Sequence, residues 1–350
     1  MRVAFVLPAP VRVPQGGAAV VVQHARGLVG RGHQVEVIAP QRGAGVWPRV
    51  HRGLARVRDG WHGVAGDRPL EGDGVQVREP ETLRRGDLTS YDAVIATGHQ
   101  TARAVSASRH GRGGGFYFLQ GDERALRPSA ADTWRLPLVR FAVSDWVARL
   151  VEAHGQPVAG VVPNAVDPTD WRCDRAPESR ERRVVALYHR HPVKGPGTLI
   201  GALERLRRWV PDVRASVVCA RPPSDRLPRW VDVHVRPSQP ELRGLYNAAA
   251  VCLHTSVVEG WGLVPMEAAA CGCAVVATAS RGPREYLVDG RSMAEVPVGD
   301  AAGLARESAV LLLNPDRRQR LARAAMEDVA RFSWSASTDR LEAILTQYAS

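Results

Sequence analysis

Residues 257–271 read VVEGWGLVPMEAAAC. Gly260 and Gly262 make a turn that runs straight into an alanine-rich segment, the pattern of a helix start. The first N–H groups of a helix have no partner within it and the dipole end is positive, so such a start attracts anions. Glu259 and Glu267 flank this start. A carboxylate beside an anion site repels the ligand unless it reaches for hydroxyl groups, and phosphate plus hydroxyls describes a nucleotide or a sugar phosphate. The stretch lies between VCLHTS (251–256) and AVVAT (274–278), two apolar runs of strand type. Continuous apolar strands separated by a helix mean a parallel sheet covered on both faces.

Working outward, the same alternation fills the C-terminal half. VVALYH (184–189), a helix over 197–209, ASVVCA (215–220), VDVHV (231–235), a helix over 240–248 and a helix over 265–271 surround the quoted stretch. The N-terminal half repeats it. RVAFVLP (2–8) is followed by a helix over 18–29 closed by Gly30 and Gly32, then by the strand QVEVIAP (34–40). VQVRE (75–79) reads as a strand, YDAVIATGHQTARAV (91–105) as a strand ending at Thr97 and then a helix, and GGFYFLQGDE (114–123) as a strand and turn. FAVSDWVARLVEAHG (141–155) is a strand and a helix with Ser144 as its N-cap. Two runs of this kind predict an α/β chain of two doubly wound, Rossmann-like parallel-sheet domains facing a cleft. They cover 1–166 and 184–334, joined by a polar, proline-bearing linker at 167–183, with ligands at the carboxyl ends of the strands. A length of 350 residues agrees with two cores.

No run of eighteen apolar residues occurs, and Pro8 interrupts the N-terminus before a signal-peptide core could form, so a cytoplasmic protein is expected. The five cysteines contain no CxxC pair and signal neither a disulfide framework nor a zinc site. The net charge of +11 leans toward the N-terminal half. It suits a phosphorylated ligand, an anionic membrane surface or nucleic acid, and equally an arginine-biased surface. The basic residues are scattered and no nucleic-acid motif is visible, so no nucleic-acid partner is expected. Of the 47 basic residues only Lys194 is a lysine, which singles out a position where a compact ammonium is needed.

Gly16 and Gly17 stand between the first strand and first helix, where a phosphate loop or a bare tight turn would leave the same trace. GxGxxG is absent, which counts against a nicotinamide dehydrogenase. His99 follows the strand ending at Thr97, a place for a ligand contact or a structural histidine. No GxSxG or HExxH accompanies it, so hydrolase and metallopeptidase readings lack support. In YHRHPVKGPG (188–197), Arg190 and Lys194 lie at a strand's end and are spaced to neutralise a diphosphate.

With these residues in view, SVVEGWGLVPMEAAACGCAVVAT (256–278) resembles the Glu-x7-Glu signature of retaining nucleotide-sugar glycosyltransferases of the GT-B fold, in particular the large family four. The resemblance runs through PQGGAAVVVQHARGLVGRGHQVEVIAP (14–40), VVPNAVDP (161–168), VKGPGTLIGALERL (193–206), ELRGLYNAAAVCLHTS (241–256), RGPREYLVDGRSMAEVPVGD (281–300) and FSWSASTDRLEAIL (332–345). It implies a glycosyltransferase that moves a sugar from a nucleotide diphosphate sugar to a hydroxyl acceptor (a saccharide, glycolipid or secondary metabolite), with no metal or other cofactor. Lys194 and Arg190 would hold the diphosphate, with backbone N–H groups of Gly16 and Gly17 near it. Glu267 would bind ribose hydroxyls. Glu259, with the amides of Gly260, Trp261, Gly262 and Leu263, would face the donor sugar, and His99 would line that sugar. A lysine, an arginine and a helix N-terminus would replace the cation other transferases use. Residues 41–90 would shape the acceptor side of the N-terminal domain, and a closing helix at about 335–350 would pack back on it. A basic N-terminal face would allow peripheral contact with an anionic membrane if the acceptor is lipid-linked.

Two departures stand out. Ala165 takes the place of the glycine usual after the asparagine of this segment, and Arg190 and Lys194 are closer together than usual, which weakens the transfer of a role to Arg190. A phosphorylase or epimerase of the same fold, and a module binding anionic polymers, are the alternatives.

Overall fold

The computed structural model describes residues 1–8, 16–41, 74–108 and 114–349. The segment 42–73, most of the stretch expected on the acceptor side, lies outside the described residues. The chain divides into two units, one containing the N-terminal half through Asn164 and the C-terminal segment from Trp334, the other spanning Ala165–Ser333.

In the first unit, β1 (Arg2–Val6), β2 (Gln34–Ile38), β3 (Gln76–Arg78), β4 (Ala93–Ala96), β5 (Gly114–Leu119) and β6 (Val139–Ala142) form one parallel sheet in the order β3-β2-β1-β4-β5-β6. Helix α1 (Gly16–Val29) connects β1 to β2, α2 (His99–Ala107) connects β4 to β5, and α3 (Asp145–Glu152) follows β6. The apolar runs are buried as a sheet covered on both faces requires: Val3 to Val6 and Ala93 to Ala96 are fully enclosed. Phe118 stacks on Phe141 at 4.8 Å between ring centres. Ser144 stands at the N-cap of α3 in extended backbone, but its side chain makes no cap hydrogen bond.

The closing helix, α9 (Trp334–Tyr348), belongs to this unit and lies on α1. Trp334 meets His24 edge-on at 5.3 Å, and His33 is 2.7 Å from Glu342. Burial lowers the His24 pKa to about 3, so the ring packs as a neutral group. At Gly27 the helices approach so closely that a Cβ would lie 2.4 Å from Thr338 Oγ1.

The second unit repeats the strand order. Here β7 (Arg183–Leu187), β8 (Arg214–Cys219), β9 (Val231–Val235), β10 (Val251–His254), β11 (Ala274–Thr278) and β12 (Met293–Val296) run parallel as β12-β11-β10-β7-β8-β9. Helices α4 (Pro196–Trp209), α5 (Gln239–Ala248), α6 (Leu263–Ala270), α7 (Ala301–Leu313) and α8 (Pro315–Val329) cover it. The α6 helix begins two residues before Pro265, because a proline in the first turn lacks only an N–H that has no intrahelical acceptor.

Residues 167–183, expected as a linker, are fastened to this unit. Asn247 Oδ1 accepts from the N–H groups of Asp174 (2.7 Å) and Arg175 (3.0 Å). The buried Arg180 guanidinium donates to the carbonyls of Tyr246, Ala249 and Cys271. The five cysteines are free thiols, four of them buried. Among the described residues no helix is long and apolar enough to cross a membrane.

The α1–α9 contact makes a direct prediction. Gly27→Ala overpacks it and lowers stability by roughly 1–3 kcal/mol. Thr338→Ala in the same chain recovers part of that loss in urea unfolding.

Candidate active site

In the second sheet the strand order reverses between the neighbours β7 and β10, where Val184 lies beside Val251. Loops leaving the carboxyl ends at such a switch point open the crevice in which doubly wound sheets bind ligands. The loop after β7 contains Arg190 and Lys194, and the loop after β10 contains Ser256 and Glu259.

These loops are bound tightly to each other. Thr255 Oγ1 donates to the Lys194 carbonyl at 2.8 Å, and Val257 N–H donates to the Val193 carbonyl at 2.7 Å. Between them Gly195 adopts left-handed backbone (φ 64°), and a Cβ there would lie 2.1 Å from the Thr255 carbonyl oxygen. Only glycine fits. With the backbones so held, Lys194 Nζ donates to Glu259 Oε1 at 2.7 Å and Ser256 Oγ donates to the same oxygen at 2.6 Å. His254 Nε2 is 3.8 Å from it.

Both members of the ion pair are nearly enclosed, with 12% and 9% of their side-chain surface exposed. Burial by itself would raise the Glu259 pKa, but the charge of Lys194 and the bonds from Lys194 and Ser256 hold it below the ordinary value. Burial lowers His254 to about 4, so it stands neutral beside the pair. The Lys194 ammonium is thus held in place by a carboxylate at a ligand crevice.

The chain next turns into α6. Glu259 N–H donates to Ser280 O at 2.8 Å, and Gly282 is so close to this turn that a Cβ would lie 2.5 Å from the Trp261 carbonyl. Arg281 between them has φ 74°, with Gly282 N–H donating to Ser280 O at 3.0 Å, a strained γ-turn beside Glu259. Gly262 is also left-handed (φ 90°), and Tyr286 Oη donates to its carbonyl. The Trp261 ring is committed to packing: it is buried, stacks on Tyr286 at 5.2 Å and donates to Met266 Sδ. Leu263 opens the helix, so the first-turn N–H groups begin where the sequence places an anion site. One turn on, Glu267 accepts from Tyr246 Oη at 3.1 Å, and burial pushes its pKa up to about 8. A protonated acid of this kind both donates and accepts.

The first unit has its own switch point between β1 and β4, where Val3 lies beside Ala93. Gly16 and Gly17 open α1 there and His99 opens α2. A Cβ on Gly17 would lie 3.1 Å from Gln120 Oε1. His99 N–H donates to Glu123 Oε1 at 2.8 Å, and its Nδ1 is 3.2 Å from the same oxygen. Lys194 and Glu259 are therefore brought into contact, Glu267 lies on the helix they precede, and Arg190 is exposed on the loop after β7. Sequence reasoning missed Ser256, His254, Tyr246 and Glu123. The first two were legible as the carboxyl end of VCLHTS, whereas Tyr246 and Glu123 become visible only through the fold.

Comparison with known proteins follows the same line. The family described as glycosyl transferases group 1 matches residues 182–314. A phosphatidyl-myo-inositol mannosyltransferase of Mycolicibacterium smegmatis is 30% identical over 96% of this chain and 91% of its own length. The chain belongs to the group 1 glycosyltransferases. A second relative from that organism, a GDP-mannose-dependent alpha-(1-6)-phosphatidylinositol monomannoside mannosyltransferase, is 30% identical over 62% of this chain and 63% of its own. HepE of Anabaena, solved in complex with UDP-glucose, superposes with a TM-score of 0.77 over 99% of this chain and 100% of its own at 18% identity, which shows a common GT-B fold. The protein is thus a transferase enzyme.

Removing one partner of the enclosed ion pair strands the other. Lys194→Ala in this glycosyltransferase should cost about 3–5 kcal/mol in denaturant unfolding, and Lys194→Met with Glu259→Gln should recover most of it. Glu267 makes stability depend on pH. Its folded pKa of about 8 lies above the ordinary 4.5, so the unfolded chain loses the proton first and stability falls as pH rises through that window. Glu267→Gln removes the effect: its advantage over wild type grows by at most about 1.4 kcal/mol per pH unit and levels off above the folded pKa.

Proposed function

We propose that this glycosyltransferase moves mannose from GDP-mannose to a hydroxyl of an inositol phosphate or inositol phospholipid headgroup, with retention at the anomeric carbon and without a metal. The observation that carries the reading is the enclosed Lys194–Glu259 pair at the switch point, immediately before the start of α6. The donor and the phospholipid acceptor follow the names of the two mycobacterial relatives, and the inositol phosphate follows that of a D-inositol 3-phosphate glycosyltransferase, 33% identical over 52% of this chain.

In this reading Lys194, with Arg190, neutralises the diphosphate, and backbone N–H groups of Gly16 and Gly17 serve it as well. Glu267 holds the ribose hydroxyls. Glu259 and the amides of Gly260 to Leu263 face the sugar, as does His99 of the first unit. The bond from the anomeric carbon to the phosphate oxygen breaks as the acceptor oxygen bonds on the same face. The acceptor proton passes to the departing phosphate oxygen, so no carboxylate base is needed. Lys194 and the α6 N-terminus stabilise the charge on the leaving diphosphate in place of a cation. The net charge of +11 supports peripheral contact with an anionic bilayer, and a cytoplasmic site suits a nucleotide-sugar donor.

The test is calorimetric titration with GDP, UDP, dTDP and ADP, with and without EDTA, followed by GDP-mannose and phosphatidylinositol vesicles or inositol phosphate. GDP should bind, and at 100 times its dissociation constant add about 2.7 kcal/mol of stability. Binding should persist in EDTA and vanish in the folded Lys194→Met, Glu259→Gln protein. The product should carry an α-mannosyl linkage by NMR. A β-linked product overturns retention, loss of activity in EDTA overturns metal independence, and selective binding of another nucleotide overturns the donor.

A further inference from the structure

Glu123 closes the turn after β5 and reaches the N-terminus of α2, where it is a receptor for protons from three directions. Its Oε1 accepts from His99 N–H at 2.8 Å and lies 3.2 Å from His99 Nδ1, and its Oε2 accepts from Tyr117 Oη. Tyr117 is almost wholly buried, and burial together with the nearby Glu123 raises its pKa well above the ordinary value, so it remains a phenol with a proton to donate. The approach is close enough that a Cβ on Gly98 would lie 3.3 Å from Glu123 Oε1. A carboxylate offers only lone pairs, so the ring nitrogen facing it must bear the proton.

We propose that Glu123 is a positioning residue for His99: it holds the imidazole in the Nδ1–H form, so that Nε2 is presented as an acceptor for a hydroxyl of the donor sugar. This assignment rests on the reading of His99 as a sugar contact. It deepens that reading by making the histidine a hydroxyl acceptor, and selectivity for the sugar depends on a residue that does not touch it. The backbone bond to His99 N–H lets the same carboxylate satisfy an otherwise open group of α2, which ties the ring's orientation to the helix start.

Two measurements test it. The first needs no ligand. In protein labelled with 15N-histidine, with His99 assigned by its loss in His99→Asn, the neutral ring should show a protonated Nδ1 and a bare Nε2. Glu123→Gln, whose amide oxygen still accepts, should keep that form, and Glu123→Ala should shift it toward Nε2–H. A role limited to capping α2 would change the stability of Glu123→Ala without changing the ring. A wild-type ring protonated at Nε2 overturns the proposal.

The second compares GDP and UDP with GDP-mannose and UDP-glucose. Bare nucleotide should bind equally to wild type, Glu123→Ala and Glu123→Gln. The sugar nucleotide should bind roughly tenfold more weakly to Glu123→Ala and within about threefold of wild type to Glu123→Gln, the scale of one substrate hydrogen bond. Unchanged sugar-nucleotide affinity in Glu123→Ala overturns the sugar contact. If neither nucleotide nor sugar nucleotide binds at all, the donor reading of the second unit fails, and the ring spectra still decide whether Glu123 sets the tautomer.

Discussion

An ammonium and a carboxylate meet at 2.7 Å in the nearly enclosed space between two strand-end loops, and the geometry around them follows from keeping them there. Neither charge is tolerable alone at that depth. Their contact requires the loops after β7 and β10 to touch, and that contact requires a residue without a Cβ at Gly195. The strands must also be neighbours in the sheet although α4, β8, β9 and α5 separate them in the chain, which is what the reversed strand order supplies. Topology, a left-handed glycine and an ion pair are thus successive consequences of one electrostatic demand.

The same demand explains the crowding beyond Glu259. Its backbone is tied to Ser280, Gly282 lies under the Trp261 carbonyl, and Trp261, Tyr286 and Met266 pack beneath the start of α6. A helix start offers its N–H groups to an anion only if it cannot fray, and aromatic packing behind it keeps those groups fixed. The indole therefore acts by holding the turn. The raised pKa of Glu267 has the same origin, since the apolar packing that fixes α6 also removes water from its carboxyl group.

Much of this was readable from the chain. Parallel sheets declare themselves through unbroken apolar runs such as VCLHTS and AVVAT, because a strand buried on both faces has no polar positions to alternate with. Lys194 was marked by composition, and Glu259, Glu267 and the glycines by their place at a helix start. What escaped depends on contacts distant in sequence. Tyr246 reaches Glu267 from α5, and Glu123 reaches His99 from a separate turn. The 167–183 segment has a linker's polarity, yet Arg180 satisfies three carbonyls of the second unit, and no local pattern reveals a guanidinium so used. β12, α7 and α8 were not separated as elements, although the resemblance runs through 281–300 and 332–345 on either side.

The two units share one strand order but solve the placement of a polar group differently. At the second switch point the side chain to be placed is a lysine with four rotatable bonds, whose rotamer freedom costs up to about 2 kcal/mol to lose, and an ion pair with Glu259 supplies the restraint. At the first it is a histidine on the first turn of a helix, whose position is nearly set by the backbone but whose two nitrogens are chemically distinct. What has to be chosen there is the protonated nitrogen, and a carboxylate facing one side of the ring makes that choice without a full ion pair. A glutamate stands beside the polar group in both cases, in one pairing with its charge and in the other facing one nitrogen of its ring.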